Sequence, residues 1–339
     1  MRKMPVNIYD IAKKAGVSVV TVSKVLNNHP GVREYNRKKV LAAIEELDYK
    51  PNAAARTLAR GKTGMIGIIV PCIDDAFMVQ VMQSVEKELA SRYMFMVVAT
   101  SSGDKDPLKE SSCIRLFREG RVDGVLIMSP VNDQSCIMEL KKRNIPFVLL
   151  DQHQTNLQAP SVTVNNFYGS YQATMCLIRG GAKSIGHITG SELFESSHER
   201  LRGYLKALDD SGIKQDERLV VKGNFSFTSG YDAVKNWVMQ GCLPDAVFAG
   251  DDNTAFGVID AARELGIAIP ERLAVIGYDD HPFTSLFHPG ISTVKQPAEK
   301  MAKCGVELLL KIIEGKVKRL TKISLKPTLI LRGTTKPPA

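Results

Sequence analysis

The positive charge of this chain is concentrated in its first 62 residues. Residues 1–62 contain 13 Lys and Arg against 5 Asp and Glu, whereas residues 63–339 contain 32 against 31. A basic patch confined to one small module indicates a polyanionic partner for that module. The alternative is a solvated basic tail, but a tail lacks regular apolar spacing, and this segment has it.

The spacing of residues 8–26 predicts two short helices joined by a tight turn. Gly16 follows the first helix, where a chain that leaves a helix often needs a positive φ. Ser18 is a suitable N-cap for the second helix. Two short helices around a glycine turn are typical of a helix-turn-helix, whose second helix enters the DNA major groove. The predicted inward residues are Ile8, Ile11, Ala12, Ala15, Val17, Val22, Val25 and Leu26.

The start of the second helix is the part that reaches base edges in such a motif. We expect Val19, Val20 and Thr21 to be exposed there, followed by Lys24. Because valine cannot form side-chain hydrogen bonds, the two valines would contact thymine methyl groups or sense groove shape. Lys24 would reach guanine or a phosphate. An ordinary helix surface is the alternative.

A third helix is predicted over residues 34–47, and a short linker follows it. In the linker, Pro51 breaks the preceding helix, Asn52 can cap a new one, and Gly61 stops it. Such a segment is too short to hold a helix in water, where about 12–15 residues are the usual minimum. We expect it to become helical when something packs against it, with a plain interdomain linker as the alternative. The third helix should bury Val40, Leu41, Ile44 and Leu47 and expose Arg37, Lys38 and Lys39.

These segments carry a family resemblance. The run YDIAKKAGVSVVTVSKVLN, followed by VLAAIEELDYKPNAAARTLA and MIGIIVP, resembles the LacI/GalR family of bacterial transcription regulators over essentially the whole chain. The resemblance implies a hinge helix that folds on DNA as a pair, with Leu58 wedged into the minor groove. Arg33, Tyr35 with Asn36, and Ala59 depart from the common family residues. The implied DNA contacts are Ser18, Val19, Val20, Thr21, Ser23, Lys24, Asn27, Tyr49, Asn52, Ala55, Arg56, Leu58 and Ala59.

Residues 63–339 alternate strand patterns with amphipathic helical segments. This alternation predicts parallel sheets covered on both faces, and the length suffices for two lobes. Ligands of such sheets bind at the carboxyl ends of the strands, so we expect a site in the cleft between the lobes. The predicted strands are 65–71, 94–100, 124–128, 147–151, 185–189, 219–222, 246–249 and 274–278, and the predicted helices are 78–92, 108–119, 134–143, 168–179, 199–211, 229–240, 254–265 and 297–313.

Acidic residues follow several of these strands, and an arginine and aromatic residues accompany them. Carboxylates, an arginine fork and an aromatic face suit the hydroxyl groups and the C–H face of a polyol. A single acidic residue at such a junction is often only a helix cap. We expect Asp75 to line the cleft from its place after the first strand. The resemblance adds positions of the effector pocket of sugar- and purine-responsive members, which are Phe77, Asp151, Arg200, Phe225, Asp251 and Asp279.

The acidic residues of this set favour a hydroxyl-rich or cationic effector over a strongly anionic one. Asp251 departs from the family pattern, because many sugar-binding members have Asn there, and an ionised carboxylate accepts hydrogen bonds but does not donate them. Arg200 alone leaves a sugar acid or a sugar phosphate open.

Several protein classes are disfavoured. The six cysteines show neither a CxxC pair nor metal-ligand spacing, so they suit a reduced cytosol and no metal or cofactor is expected. The absence of a signal peptide and of a long apolar run disfavours a periplasmic solute-binding protein and a membrane protein. The absence of a GxGxxG after the first strand, a P-loop and a GxSxG disfavours an α/β enzyme.

We therefore predict an N-terminal all-α helix-turn-helix headpiece and an α/β core of two doubly wound lobes, as in periplasmic binding proteins. The predicted function is that of a cytoplasmic repressor, not an enzyme, that works as at least a homodimer. It binds operator DNA, and a small carbohydrate-like effector between the lobes controls its affinity, with a purine as the second choice. Residues 331–339 lack a leucine heptad, so no tetramer-forming coiled coil is expected. The predicted boundaries are 1–50 for the headpiece, 51–63 for the hinge, 64–164 with 297–324 for the N-lobe, and 165–296 with 325–339 for the C-lobe.

Overall fold

The computed structural model describes residues 6–26, 30–49, 62–100, 119–128, 134–152, 158–317 and 319–337. The chain divides into two compact units, Met1–Gly64 and Met65–Ala339. We call the first the headpiece and the second the core. No helix in these ranges is long and apolar enough to cross a membrane.

The described residues of the headpiece form three helices, α1 (Ile8–Ala15), α2 (Val19–Leu26) and α3 (Glu34–Glu46). Gly16 ends α1 with a φ of 65°, and the Ser18 hydroxyl caps α2 by accepting a hydrogen bond from the Thr21 backbone N–H at 3.1 Å. These observations confirm the predicted helix–turn–helix and its third helix. The buried side chains are Ile11, Ala12, Ala15, Val22, Val25, Val40, Ala43 and Tyr49.

Two side chains of the headpiece differ from the prediction. Leu41 is 52% exposed, whereas Ala43 is buried. Leu41 lies about 100° around the helix from Val40, so the inner stripe continues through Ala43 instead. Val19 was expected on the surface, but it is half-buried and packs against the headpiece core.

The core contains two six-stranded sheets in which β10 and β12 form the only antiparallel pair among the described strands. The first sheet has the order β11-β5-β4-β3-β1-β2, and its strands are β1 (Met65–Val70), β2 (Phe95–Thr100), β3 (Gly124–Ile127), β4 (Phe147–Leu150), β5 (Ser161–Val164) and β11 (Lys322–Leu325). The second has the order β12-β10-β9-β8-β6-β7, and its strands are β6 (Ile185–Ile188), β7 (Val220–Val221), β8 (Ala246–Ala249), β9 (Ala274–Tyr278), β10 (Ser292–Lys295) and β12 (Thr328–Ile330).

Helices cover both faces of each sheet, which confirms the predicted doubly wound lobes. In the first sheet, α4 and α10 pack on one face and α5 on the other. In the second, α6 and α7 pack on one face and α8 and α9 on the other. The ranges are α4 (Ala76–Ala90), α5 (Gln134–Lys142), α6 (Asn166–Arg179), α7 (Glu195–Asp210), α8 (Phe227–Met239), α9 (Asp252–Glu264) and α10 (Ala298–Ile313).

Within the described residues the chain crosses between the sheets three times, after β5, after β10 and after β11. The sequence pattern does not predict β5, β10, β11 or β12, which have four residues or fewer. The predicted strand at 219–222 is shorter than expected, because a 3-10 turn, Glu217–Leu219, takes its first residue. The predicted helix at 108–119 lies almost wholly outside the described residues.

Candidate functional site

A cavity of about 480 Å³ lies in the cleft between the two lobes of the core. Its lining comes from segments that follow β1, β3, β4, β6, β7, β8, β9 and β10, so it occupies the carboxyl ends of both sheets. This is the position at which doubly wound sheets bind ligands. The predicted ligand residues that line it are Asp75, Phe77, Asp151, Arg200, Phe225 and Asp279.

Arg200 projects from α7 and is almost fully buried, with 3% of its surface exposed. Its Nε donates to Asn166 Oδ1 at 3.1 Å and its Nη1 donates to the Gly250 carbonyl at 2.6 Å. The guanidinium carbon lies 3.7 Å from the centroid of the Tyr278 ring. Contacts on its face and edge fix this side chain before any ligand binds, as a recognition residue requires.

Asp279 is the acidic partner of Arg200 across the cavity wall. Its Oδ1 lies 3.7 Å from Arg200 Nη2 and accepts a hydrogen bond from Gln296 Nε2 at 2.6 Å. Burial raises the pKa of Asp279 well above its ordinary value, and Arg200 only partly opposes this. Burial lowers the pKa of Arg200, but Asp279 and other nearby groups outweigh it and the net shift is upward. Arg200 therefore stays protonated, whereas Asp279 gives up its proton less readily than an ordinary aspartic acid.

Aromatic rings form much of the apolar wall of the cavity. Phe194 meets Phe225 edge to face with 5.9 Å between ring centroids, and the Phe77 ring is 5% exposed. A side chain at Gly190 would lie about 2 Å from the Phe225 ring, so glycine is needed there to admit the ring. Asp151, Phe225 and Asp279 also have left-handed backbones, with φ of 54°, 64° and 109°. Such conformations cluster at ligand sites, where the surrounding fold imposes them.

Asp75 and Asp251 both cap helices, but only Asp75 lines the cavity. Asp75 Oδ1 accepts a hydrogen bond from the Met78 backbone N–H at 2.8 Å. Asp251 is 4% exposed, and its Oδ1 accepts from the backbone N–H and hydroxyl of Thr254. The structure therefore does not bring Asp251 into the lining, and Asn253 lines the cavity near that strand end instead.

The sequence prediction missed several polar residues of the cavity. Gln152 directly follows Asp151, so the strand-end signal that identified Asp151 extends to it. Gln296 follows β10, a strand that the sequence pattern does not predict, and no signal pointed to it. The other missed polar lining residues are Cys72, Ser191, Ser196 and Asn224, whereas Asp74 and Asn253 lie at strand ends where polar site residues are expected.

The headpiece presents a second candidate surface at the start of α2. Val20 is 63% exposed, Ser18 and Lys24 are exposed, and Thr21 and Ser23 are half-buried. Tyr49 is 9% exposed and packs in the headpiece core. The predicted DNA contacts that lie outside the described residues are Asn27, Asn52, Ala55, Arg56, Leu58 and Ala59.

Comparison with known proteins accounts for both units. Residues 7–52 match the model of the bacterial regulatory proteins of the lacI family, and residues 175–335 match a periplasmic binding protein-like domain. The transcriptional repressor PurR of Yersinia pestis (strain Pestoides F) is 36% identical over 96% of this chain and 95% of its own. The chain belongs to the LacI family.

Two solved structures show the same architecture along almost the full length of this family member. The lac repressor dimer bound to operator and the anti-inducer ONPF superposes with a TM-score of 0.85 at 26% identity, over 97% of this chain and 99% of that one. The regulator CelR in complex with cellobiose superposes with a TM-score of 0.73 at 29% identity, over the same shares. The protein is thus a DNA-binding transcription regulator with a ligand-binding core, and not an enzyme.

Proposed function

We propose that this LacI-family protein is a repressor whose affinity for operator DNA changes when a small carbohydrate-like molecule occupies the interlobe cleft. One observation carries the proposal. A single cavity gathers carboxyl groups, one arginine and aromatic rings from both lobes. Sugar recognition needs this combination, because carboxylates and arginine bond hydroxyl groups while an aromatic ring covers the C–H face.

The size and polarity of the cavity support a sugar. Its volume of about 480 Å³ lies within the usual range of small-molecule sites, roughly 300–1,000 Å³. A strongly anionic ligand would meet the carboxyl groups that follow β1, β4 and β9. The CelR structure with cellobiose, and that of a LacI family regulator from Enterococcus faecium with bound ribose, support a carbohydrate-like ligand. A purine remains the second candidate class.

We propose that the effector cleft controls operator binding through thermodynamic linkage between the two sites. Asp75 and Phe77 belong to the first lobe, whereas Arg200, Phe225 and Asp279 belong to the second. A ligand that contacts both groups stabilises one interlobe angle over others. Because coupling is reciprocal, an effector that weakens operator binding must itself bind operator-bound protein more weakly by the same factor.

In the headpiece, the proposed base contacts come from Val20, Thr21 and Lys24 at the start of α2. Lys38 is exposed on α3, where it would contact a phosphate. Only base contacts and DNA shape carry sequence information, while phosphate contacts fix position. We therefore expect specificity to follow Val20 and affinity to follow the lysines.

We further propose that the protein works as a homodimer. The core exposes three large apolar side chains within one five-residue segment, Phe283 at 57%, Leu286 at 68% and Phe287 at 38%, and a cluster of this kind is typical of an interaction surface. The solved relative bound to operator is a dimer. Sedimentation should therefore give a dimer for the wild type, and Leu286→Asp should shift it toward monomer if this surface is buried between subunits.

Two assays together test the proposed function. A thermal-shift screen against sugars, sugar acids, sugar phosphates and purines should raise the melting temperature for a sugar, since a ligand that binds only the folded state stabilises it. A gel-shift with genomic fragments should then show selective DNA binding that the same sugar changes. A purine or sugar phosphate as the only stabilising class would contradict the carbohydrate proposal, and absence of selective DNA binding would contradict the repressor.

A further inference from the structure

The cleft has an excess of acidic groups. Among the described residues that line it, Asp74, Asp75, Asp151 and Asp279 bear carboxyl groups and Arg200 is the only cation. The guanidinium of Arg200 already lies 3.7 Å from Asp279 and donates to Asn166 and Gly250. One arginine, bonded within its own lobe, therefore faces four carboxyl groups from two lobes.

The acidic groups of the two lobes influence one another across the cleft. Burial is the main cause that raises the pKa of Asp279, and the charge of Asp75 from the opposite lobe raises it further. Burial likewise raises the pKa of Asp251, and Asp75 adds to that shift. A cation placed between the lobes would relieve this repulsion, whereas a neutral molecule would leave it in place.

The cavity also contains unsatisfied hydrogen-bond acceptors. Gln152 and Gln296 are 7% and 2% exposed, both line the cavity, and neither side-chain oxygen has a hydrogen-bond partner among the described residues. The Gln296 amide group donates to Asp279, which fixes its Oε1 as the remaining polar atom. A buried acceptor without a partner is costly, and a hydroxyl donor on a ligand in the cavity would satisfy it.

The apolar part of the cavity limits which cation fits. Phe194 and Phe225 meet edge to face, and Phe77, Met78 and Leu150 complete an apolar wall beside the acidic groups. A flat C–H face suits such a wall, as it does in sugar recognition. A linear polyamine would match the charge but offers no ring face.

We propose that the effector is an amino sugar, with a protonated amine among the cleft carboxyl groups, hydroxyl donors to Gln152 and Gln296, and a C–H face on the phenylalanines. This inference rests on the proposed carbohydrate site and names the class of sugar. The amine distinguishes the effector from a neutral sugar of the same shape.

Matched probes on the full chain test the proposal by isothermal titration at pH 7. Glucosamine, galactosamine and mannosamine are each compared with the parent hexose and the N-acetylated sugar, which lacks the charge. One of the amines should bind at least about tenfold more tightly than both of its neutral partners.

A test variant and a control variant show whether the cleft carboxyl groups bind the amine. Asp75→Asn keeps an oxygen to cap α4 but removes the charge, and Asp74→Asn with it should lower the affinity of the preferred amine about tenfold or more. The affinity of the parent hexose should fall by a smaller factor, because an asparagine oxygen still accepts a hydrogen bond from a hydroxyl group. Asp209→Asn, on the exposed end of α7, removes one charge outside the cavity and should change neither affinity.

The outcomes separate this inference from the function it rests on. A parent or N-acetylated hexose that binds as tightly as its amine overturns the amino-sugar inference but leaves the carbohydrate site standing. Failure of all nine probes, when a neutral sugar from the wider screen does bind, also overturns the inference alone. If no sugar of any charge binds, both the inference and the carbohydrate site are wrong.

Discussion

The charged residues of the headpiece and those of the core occupy opposite environments. In the headpiece, Lys24 and Lys38 are exposed, and even the ion pair of Lys14 with Glu46 leaves its side chains 44% and 60% exposed. In the core cleft, the side chains of Arg200 and Asp279 are 4% and 11% exposed. The first set can exchange its counterions for DNA phosphates, whereas the second set is fixed by the fold around it.

This difference in exposure explains how the DNA-binding surface and the cleft each select a partner. Exposed charges give affinity that depends on salt and hardly at all on sequence. Buried charges cost free energy unless they are bonded, so they persist only in a defined geometry. The headpiece surface should therefore tolerate charge changes with little loss of stability, and the buried cleft of the core should not.

The largest expected effect, on both stability and effector response, comes from removing one partner of the buried Arg200–Asp279 pair. Arg200→Ala leaves Asp279 buried without its nearest cation and removes the donor to Gly250, so it should destabilise the core by about 3–5 kcal/mol and abolish the effector response. Lys14→Ala in the headpiece should cost less than about 1 kcal/mol. Denaturant unfolding of both variants measures the contrast. Equal losses of unfolding free energy in the two variants would contradict the difference between the headpiece and the cleft.

The second effect is a pH dependence that belongs to the core. Burial is the main cause that raises the pKa of Asp252 to about 8, and its carboxyl accepts hydrogen bonds from Thr293 and from the His281 backbone. The folded state therefore holds this proton up to a higher pH than the unfolded state. Stability should fall as pH rises from about 4 to about 8, by at most about 1.4 kcal/mol per pH unit.

Asp252→Asn removes this titration while keeping a polar side chain at the site. Urea midpoints measured between pH 5 and pH 8 should vary less with pH in the variant than in the wild type. Asp209→Asn, whose side chain is 79% exposed, serves as the control and should keep the wild-type slope. A wild-type stability that rises over this pH range would contradict the assignment.

The third effect concerns the surface of α2. Val20 is 63% exposed, so Val20→Ala should alter which operator is preferred, by about 1 kcal/mol at the affected base pair, the scale of one or two buried methyl groups, without unfolding the headpiece. Val19 packs against the headpiece core, so Val19→Ala should lower stability as well. Operator selection from random DNA measures the preference. An unchanged selected sequence in Val20→Ala would place the base contacts elsewhere.

The smallest effect is a change in salt dependence. Lys38→Ala should weaken binding to all DNA alike and flatten the slope of log affinity against log salt by about 0.9, the value for one lost phosphate contact. Arg37, whose side chain is 20% exposed and lies 3.9 Å from Glu34, should show a smaller change. Titrations at several salt concentrations measure both slopes, and an unaltered slope in Lys38→Ala would remove that lysine from the interface.

The sequence is sufficient to predict most helices and strands of both units. Gly16, Ser18 and the apolar spacing around them predict α1 and α2 because caps and turns act over a few residues. Several core helices begin two residues earlier than predicted, since Asp75, Ser226 and Asp251 cap them there. Short strands such as β10 and β12 escape prediction because they mix polar with apolar residues, whereas the equally short β3, β4 and β8 are continuous apolar runs.

The residues of the cleft are harder to predict from the sequence, because the cleft depends on contacts between distant segments. Strand ends identify Asp75, Asp151 and Asp279, which meet only when the two sheets face each other. The same rule selects Asp251, but its side chain bonds Thr254 and stays out of the lining. Gln296 joins the cavity through a crossover between the lobes, and only the folded topology reveals it.

Operator binding and effector binding measured on one sample test the central claim most directly. A genomic fragment selected by the wild type is titrated by fluorescence anisotropy with and without the sugar found by the screen, and Asp279→Asn is measured beside it. The sugar should change the operator affinity of the wild type at least about fivefold, while Asp279→Asn should bind the operator but not respond. A response that survives in Asp279→Asn, or a sugar that binds the wild type without changing its operator affinity, would contradict control from the interlobe cleft.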